Sequence, residues 1–119
     1  MLPFMERYTT FRDFWPFYLR EHAQPATRLM HYIGTTIGLC LVLYGLATGN
    51  LLWLLGFPLA AYSFAWTSHA LVEHNKPATF TYPLWSLIAD LRMWALWVTG
   101  RLTPHLVRAG VMPSGLPAR

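Results

Sequence analysis

The longest uncharged stretch of the chain is the feature that most constrains its fold. Residues 29–72 contain no Asp, Glu, Lys or Arg. This run of 44 residues is about twice the ~20 apolar residues that a helix needs to cross the hydrocarbon core of a bilayer. The turn-forming residues Thr48-Gly49-Asn50 interrupt the run near its centre. We therefore expect a transmembrane helical hairpin over residues 28–71, with helices at about 28–47 and 51–71.

The composition agrees with a membrane protein. Of the 119 residues, 55% are hydrophobic and 12% are charged, and this charged fraction is about half that of soluble domains. The net charge of +4 comes from scattered arginines, so we expect contact with anionic lipid headgroups and no nucleic-acid binding. The length fits a single membrane-embedded helical domain over residues 1–119. The single cysteine, Cys40, excludes an internal disulfide and leaves any metal site to N and O ligands.

Two further helices are expected outside the hairpin. Residues 11–21 are rich in aromatic side chains, which is typical of an interfacial helix that anchors to the membrane. Residues 82–101 form a third apolar helix whose apolar residues share one face, with Ser86 and Asp90 on the other. This helix either spans the membrane or lies across the base of the hairpin, and residues 112–119 form a flexible tail. The predicted fold class is an all-α, multi-pass membrane protein with a central transmembrane hairpin.

A repeated heptapeptide brackets the hairpin. Both copies read E-H-x-x-P-A-T, at residues 21–27 and 73–79. A further histidine lies near each copy, because His31 is 18 residues before Gly49 and His69 is 20 residues after it. In an antiparallel pair of helices these two histidines return to nearly the same depth. Both copies of the heptapeptide are therefore expected at the same end of the hairpin.

Cationic residues mark this histidine end. The turn end is uncharged, whereas the histidine end carries Arg7, Arg12, Arg20, Arg28 and Lys76. The positive-inside bias places the histidine end on the cytoplasmic side of an integral membrane protein, in an endoplasmic-reticulum-type membrane of a eukaryote or the inner membrane of a bacterium. The first 20 residues lack the apolar core of a signal peptide, so insertion is expected to use internal segments.

Four histidines at this end are candidate metal ligands. They are His22, His31, His69 and His74, with Glu21 or Glu73 to complete or orient the set. Neutral imidazoles that converge with carboxylates beside them suit Fe(II), Zn(II), Mn(II) or Cu(II). The alternative is that these histidines only form hydrogen bonds at the membrane boundary. Ionisable groups near membrane depth are costly to keep, which favours the metal site.

Other polar side chains allow two interpretations each. Arg28 and Lys76 either bind a carboxylate or an anionic headgroup, or extend to the interface as cations. Asp90 either supports or ligates the metal, or pairs with an arginine. His105 has no partner motif and is expected at the surface.

The histidines, the hairpin and the second heptapeptide occur in a distinctive order. That order is His22, His31, the uncharged hairpin, His69-x-x-x-Glu73-His74-x-x-Pro77-Ala78, Tyr82-Pro83 and Ser86. Over residues 11–93 it resembles the small membrane family of 2-hydroxy fatty acid dioxygenases. The resemblance implies an Fe(II) enzyme of fatty-acid α-oxidation that uses O2 to shorten a 2-hydroxy fatty acid by one carbon. It also implies catalytic roles for His22, His31, His69, Glu73 and His74. The positive charge of Arg28 or Lys76 is expected to orient the substrate carboxylate.

Two other functions remain open. A metal-dependent membrane hydrolase would act through a bound water, for which Zn(II) is preferred. A non-enzymatic scaffold would bind heme or a metal through paired histidines. The expected partners are the lipid bilayer, the 2-hydroxy fatty acid and O2, and a helical unit of this size is compatible with homo-oligomers.

Overall fold

A computed structural model describes residues 8–113, and within that range the chain is helical and contains no β-strand. Arg7 and residues 114–119 of the expected tail lie outside the described residues. The five α-helices are α1 (Phe11–Arg20), α2 (Pro25–Thr48), α3 (Gly56–Ser68), α4 (Pro83–Val98) and α5 (Leu102–Arg108). Three short irregular turns complete the path: 3-10 turns at Leu51–Leu55 and Ala78–Phe80, and a π turn at His69–Glu73.

The residues of the predicted hairpin form two helical arms, of which the second consists of a 3-10 turn, α3 and a π turn. Helix α2 ends at Gly49, whose φ of 75° is the left-handed conformation that favours glycine. The chain then returns through the 3-10 turn, α3 and the π turn. A Cβ on Gly34 would lie 2.9 Å from Cβ of Phe64, and a Cβ on Gly38 would lie 2.7 Å from Cδ1 of Phe57. These two glycines therefore allow α2 and α3 to pack at close range.

Both arms of the hairpin have the length and composition of membrane spans. Pro25–Thr48 and Leu51–Glu73 are 24 and 23 residues long and predominantly apolar. Little of their surface is covered by the rest of the protein, since Leu52 and Leu59 remain 74% and 70% exposed. The hairpin thus presents large aliphatic side chains outward rather than into a core.

Helix α1 packs inside the protein. Its Thr10 cap accepts a hydrogen bond from the amide of Asp13. Phe14, Trp15 and Tyr18 are buried against α4 and α5. The expected helix is confirmed, but its expected role as an interfacial aromatic anchor is wrong for these side chains, because protein rather than lipid covers them.

Helix α4 buries its polar face. Ser86 and Asp90 are buried, whereas Leu84, Ile88 and Val98 on the apolar face are exposed. Hydrogen bonding and stacking fix α4 against α2: Nε1 of Trp94 donates to Oγ1 of Thr36 at 2.9 Å, and the rings of Tyr32 and Trp97 stack at 4.2 Å. The buried polar face of α4 is directed at the histidine end of the hairpin.

Candidate metal centre

Three of the four candidate histidines converge at one point. His22 follows α1, His31 lies in the second turn of α2, and His69 begins the π turn. One ring nitrogen of each lies within 4.8 Å of those of the other two. All three side chains are buried, with 5% or less of their surface exposed. The three histidines lie in three separate segments of the sequence, and the close hairpin and the packing of α1 bring their rings together.

His74 does not join this group. It is exposed and has a φ of 61°, because it ends the π turn in the left-handed conformation. The amide of the next residue, Asn75, donates to the carbonyl of His69 at 3.0 Å. The backbone changes direction at His74, so the His74 side chain points to the outside of the protein. The Asn75 side chain points inward and contacts His69.

Hydrogen bonds fix the tautomers of two of the histidines. Nδ1 of His22 lies 2.6 Å from the carbonyl of Tyr18, which can only accept. Nδ1 of His69 lies 2.6 Å from Oδ1 of Asn75, and the Asn75 amide group donates to the carbonyl of Glu21 at 3.1 Å. Both rings therefore donate from Nδ1, and both Nε2 atoms carry a free lone pair.

The two free lone pairs face each other. Nε2 of His22 and Nε2 of His69 are 3.1 Å apart, and this contact is repulsive unless a cation lies between them. Two nitrogen ligands bound at about 2.1 Å and at right angles would be about 3.0 Å apart. Nε2 of His31 is buried and has no hydrogen-bond partner. The three nitrogens therefore fit a metal ion and leave coordination positions open.

Asp90 supports the third histidine. Its Oδ1 lies 3.5 Å from Nδ1 of His31 and accepts a short hydrogen bond from the hydroxyl of Tyr18. Burial raises the pKa of Asp90 to about 6, against the lowering effect of the Tyr18 bond and the neighbouring histidines. Burial and the charge of Asp90 raise the pKa of Tyr18, so Tyr18 stays a donor. Within residues 8–113, Asp90 pairs with His31 and with no arginine, so the alternative of an Asp90–arginine pair is not found among the described residues.

The electrostatics of the site favour neutral imidazole. Burial, followed by the proximity of His31 and His69, lowers the pKa of His22 well below its usual value. A neutral ring is the form that binds a metal. A carbonyl, an amide oxygen and a carboxylate hold the far side of the three rings, an arrangement that is usual for metal-bound histidine.

Hydrogen bonds join the two heptapeptide copies to each other. Glu73 of the second copy accepts hydrogen bonds from the amide of Gln24 at 2.9 Å and from Oγ1 of Thr27 at 2.7 Å. In return, Nδ2 of Asn75 donates to the carboxylate of Glu21 at 3.2 Å. Burial and the charge of Glu73 raise the pKa of Glu21. Glu73 therefore holds the copies together and is outside the histidine group.

The two candidate carboxylate-binding cations have different positions. Arg28 is buried, and its Nη1 donates to the carbonyls of His22 and Ala23 at 2.8 and 3.0 Å. The interpretation of Arg28 as a snorkelling cation is wrong, because this side chain fixes the segment that carries His22. Lys76 is exposed within the second heptapeptide.

A small cavity adjoins the three rings. Its volume of about 10 Å³ has room for one ion or water molecule, and Ala65, Pro77, Ala78, Thr79 and Ser86 complete its wall. The Ser86 hydroxyl is buried there without a hydrogen-bond partner. Tyr18 and Asn75 were not predicted, although Tyr18 lies one helical turn before His22 and Asn75 lies within the second copy.

His105 also departs from expectation. It is half-buried rather than at the surface, and its Nδ1 accepts a hydrogen bond from Nε1 of Trp15 at 3.1 Å. It takes no part in the histidine group, and its pKa is lowered by burial and then by Arg108 and Arg92.

Comparison with known proteins gives one family. The family described as 2-hydroxy-palmitic acid dioxygenase Mpo1-like matches the chain over residues 8–102, a range that contains all three buried histidines. No curated protein and no solved structure matches the chain.

Proposed function

The chain belongs to the Mpo1-like family, and from that membership and the buried histidine group we propose that it is an Fe(II)-dependent dioxygenase. The proposed reaction is oxidative decarboxylation of a 2-hydroxy fatty acid, which uses O2 and gives the acid one carbon shorter. The observation that carries the proposal is the 3.1 Å contact between the unprotonated Nε2 atoms of His22 and His69, which a bound cation would turn from repulsive to favourable.

The proposed ligands are His22, His31 and His69. Three neutral nitrogen ligands leave open positions on the metal, as catalytic rather than structural sites require. A bound Fe(II) would supply one-electron redox chemistry toward O2 and Lewis acidity toward the hydroxyl and carboxylate of the substrate. His74 is not proposed as a ligand, because it is exposed.

The chain's own side chains would orient these ligands and the substrate. Asp90, whose Oδ1 lies 3.5 Å from Nδ1 of His31, would orient the His31 ring, and Asn75 would orient the His69 ring by accepting from its Nδ1. The free Ser86 hydroxyl, at the cavity wall, would donate to a polar group of the substrate. The buried position of the rings would exclude bulk water from the reacting atoms.

The acyl chain has an apolar surface available beside the site. A groove of about 480 Å³ runs along the outer side of α3, with Leu59, Tyr62 and Trp66 in its wall. The ring of Trp66 packs on Phe80, at 5.2 Å between centroids, and Phe80 closely follows the cavity residues Ala78 and Thr79. We place the acyl tail in this groove, with the hairpin spanning the bilayer and the histidine end facing the cytoplasm.

Metal analysis of the protein purified without oxygen tests the ligands. We expect about one iron per chain, lost on replacing His22, His31 or His69 by Ala. His74→Ala and His105→Ala serve as matched controls and should keep the iron. Equal iron content in all five variants would contradict the proposed centre.

Product analysis tests the reaction. Mass spectrometry should detect an acid one carbon shorter from a long-chain 2-hydroxy fatty acid in air and none under argon. The acid without the hydroxyl should be inert, because it cannot chelate the metal through two oxygens and loses that orientation. Product formed equally well under argon would rule out the dioxygenase.

A further inference from the structure

A second cavity with cationic side chains in its wall lies apart from the metal centre. It is a cavity of about 290 Å³ between α1, α4 and α5, lined by Arg12, Trp15, Arg92, His105 and Arg108. Trp15 and Tyr18 stack at 5.7 Å, and Tyr18 in turn reaches Asp90, so two aromatic rings separate this cavity from the histidine group. We propose that this cavity binds a phosphate group, either of an anionic phospholipid or of a soluble phosphate compound.

The cavity is lined by three arginines and by no acidic residue. Among the described residues, Arg12 has one carboxylate partner, Asp13, at 3.7 Å, and both of these side chains are largely exposed. Neither Arg92 nor Arg108 forms a salt bridge within residues 8–113. Three arginines from three helices thus line one cavity, and their combined positive charge would attract an anion.

The donors of the cavity are held in place before any ligand binds. The Arg92 guanidinium lies over the Trp15 ring, 4.5 Å from its centroid. The indole of Trp15 donates to Nδ1 of His105, and since indole N–H is only a donor, the His105 proton must be on Nε2. His105 therefore adds a neutral N–H donor to the arginines.

These groups suit phosphate chemistry. Guanidinium groups match phosphate oxygens with paired hydrogen bonds, and none of the residues that line the cavity carries a carboxylate that would repel a phosphate. Lipid headgroups and soluble phosphates share this chemistry. The two sources are separated by experiment.

The test measures lipid binding by the full chain in detergent micelles. Native mass spectrometry would follow retention of short-chain phosphatidylglycerol and phosphatidylcholine, with competition by inorganic phosphate. We expect phosphatidylglycerol to be preferred, and the paired change Arg92→Gln with Arg108→Gln to weaken its binding about tenfold or more. Arg101→Gln, an exposed arginine outside the cavity, is the matched control and should bind normally.

The outcomes distinguish a soluble phosphate compound from a membrane lipid as the ligand of the cavity. Competition by millimolar inorganic phosphate supports a soluble source, and lipid preference without such competition supports a membrane source. The paired variant Arg92→Lys with Arg108→Lys should retain part of the binding, which separates lost charge from misfolding. No preference for phosphatidylglycerol together with no phosphate binding, or full binding by the Gln pair, would overturn the proposal. Iron content should be unchanged in every variant, so this result is independent of the proposed dioxygenase.

Discussion

At the scale of single residues, the histidine centre depends on what lies behind each ring. Asn75 illustrates this, because its side chain accepts from Nδ1 of His69 and donates to Glu21. Replacing Asn75 by Ala removes the acceptor that fixes the His69 tautomer. We expect metal affinity to fall roughly 10–100-fold, measured by competition with a chelator of known affinity. The neighbouring change Lys76→Ala should leave the affinity unchanged, and an unchanged affinity for Asn75→Ala would contradict the assigned tautomer.

A substitution at His74, unlike one at Asn75, is expected to leave metal binding unchanged. A left-handed backbone costs a residue with a Cβ about 1–2 kcal/mol, and glycine avoids this cost. His74→Gly should therefore keep its metal and raise the free energy of unfolding by up to about 1 kcal/mol, after the greater chain entropy of glycine is subtracted. Denaturant unfolding of the metal-loaded protein measures both effects. Loss of metal from His74→Gly would restore His74 to the ligand set.

At the scale of helices, the alignment of the histidines depends on how closely α2 and α3 pack. Gly38 has no room for a Cβ, which would lie 3.1 Å from the Cα of Phe57 as well as 2.7 Å from its ring. Gly38→Leu should force the arms apart and cost about 1–3 kcal/mol, with weaker metal binding because His31 and His69 lie on opposite arms. The exposed position Ala47→Leu on the same helix is the control. Unchanged stability and metal content in Gly38→Leu would show that the close approach is unimportant.

The sequence predicted four of the five described α-helices, although not α5, and it placed the three histidines that converge at one end of the hairpin. The reasons are local. Apolar runs and turn residues determined the hairpin, and its symmetric spacing predicted that His31 and His69 would meet. His74 was misplaced because a π turn and a left-handed residue have no clear sequence signal. The partner of Asp90 could not be predicted, since Tyr18 is 72 residues away and only the packing of α1 on α4 brings them together.

At the scale of the whole molecule, the proposed topology places both heptapeptides on one side of the membrane. Cysteines at Ala26 and Lys76, which are exposed at the histidine end, should react with an impermeant thiol reagent from the same side. A cysteine at Leu52, in the exposed turn region, should react from the other side. Each is introduced into Cys40→Ser, since Cys40 is itself exposed. Opposite accessibility of positions 26 and 76 would exclude the hairpin topology.

The buried polar face of α4 has a consequence for the order in which the protein is made. Exposing Ser86 and Asp90 to lipid without polar partners would be costly, so in the proposed topology we expect α4 to pack on the hairpin after the hairpin has formed. Helix α1, which is synthesised first, gains its contacts with α4 only after residue 90 has left the ribosome. The N-terminal segment is therefore expected to remain without its α4 contacts during most of translation. The contacts of Asp90 with Tyr18 and His31 would complete the histidine centre last.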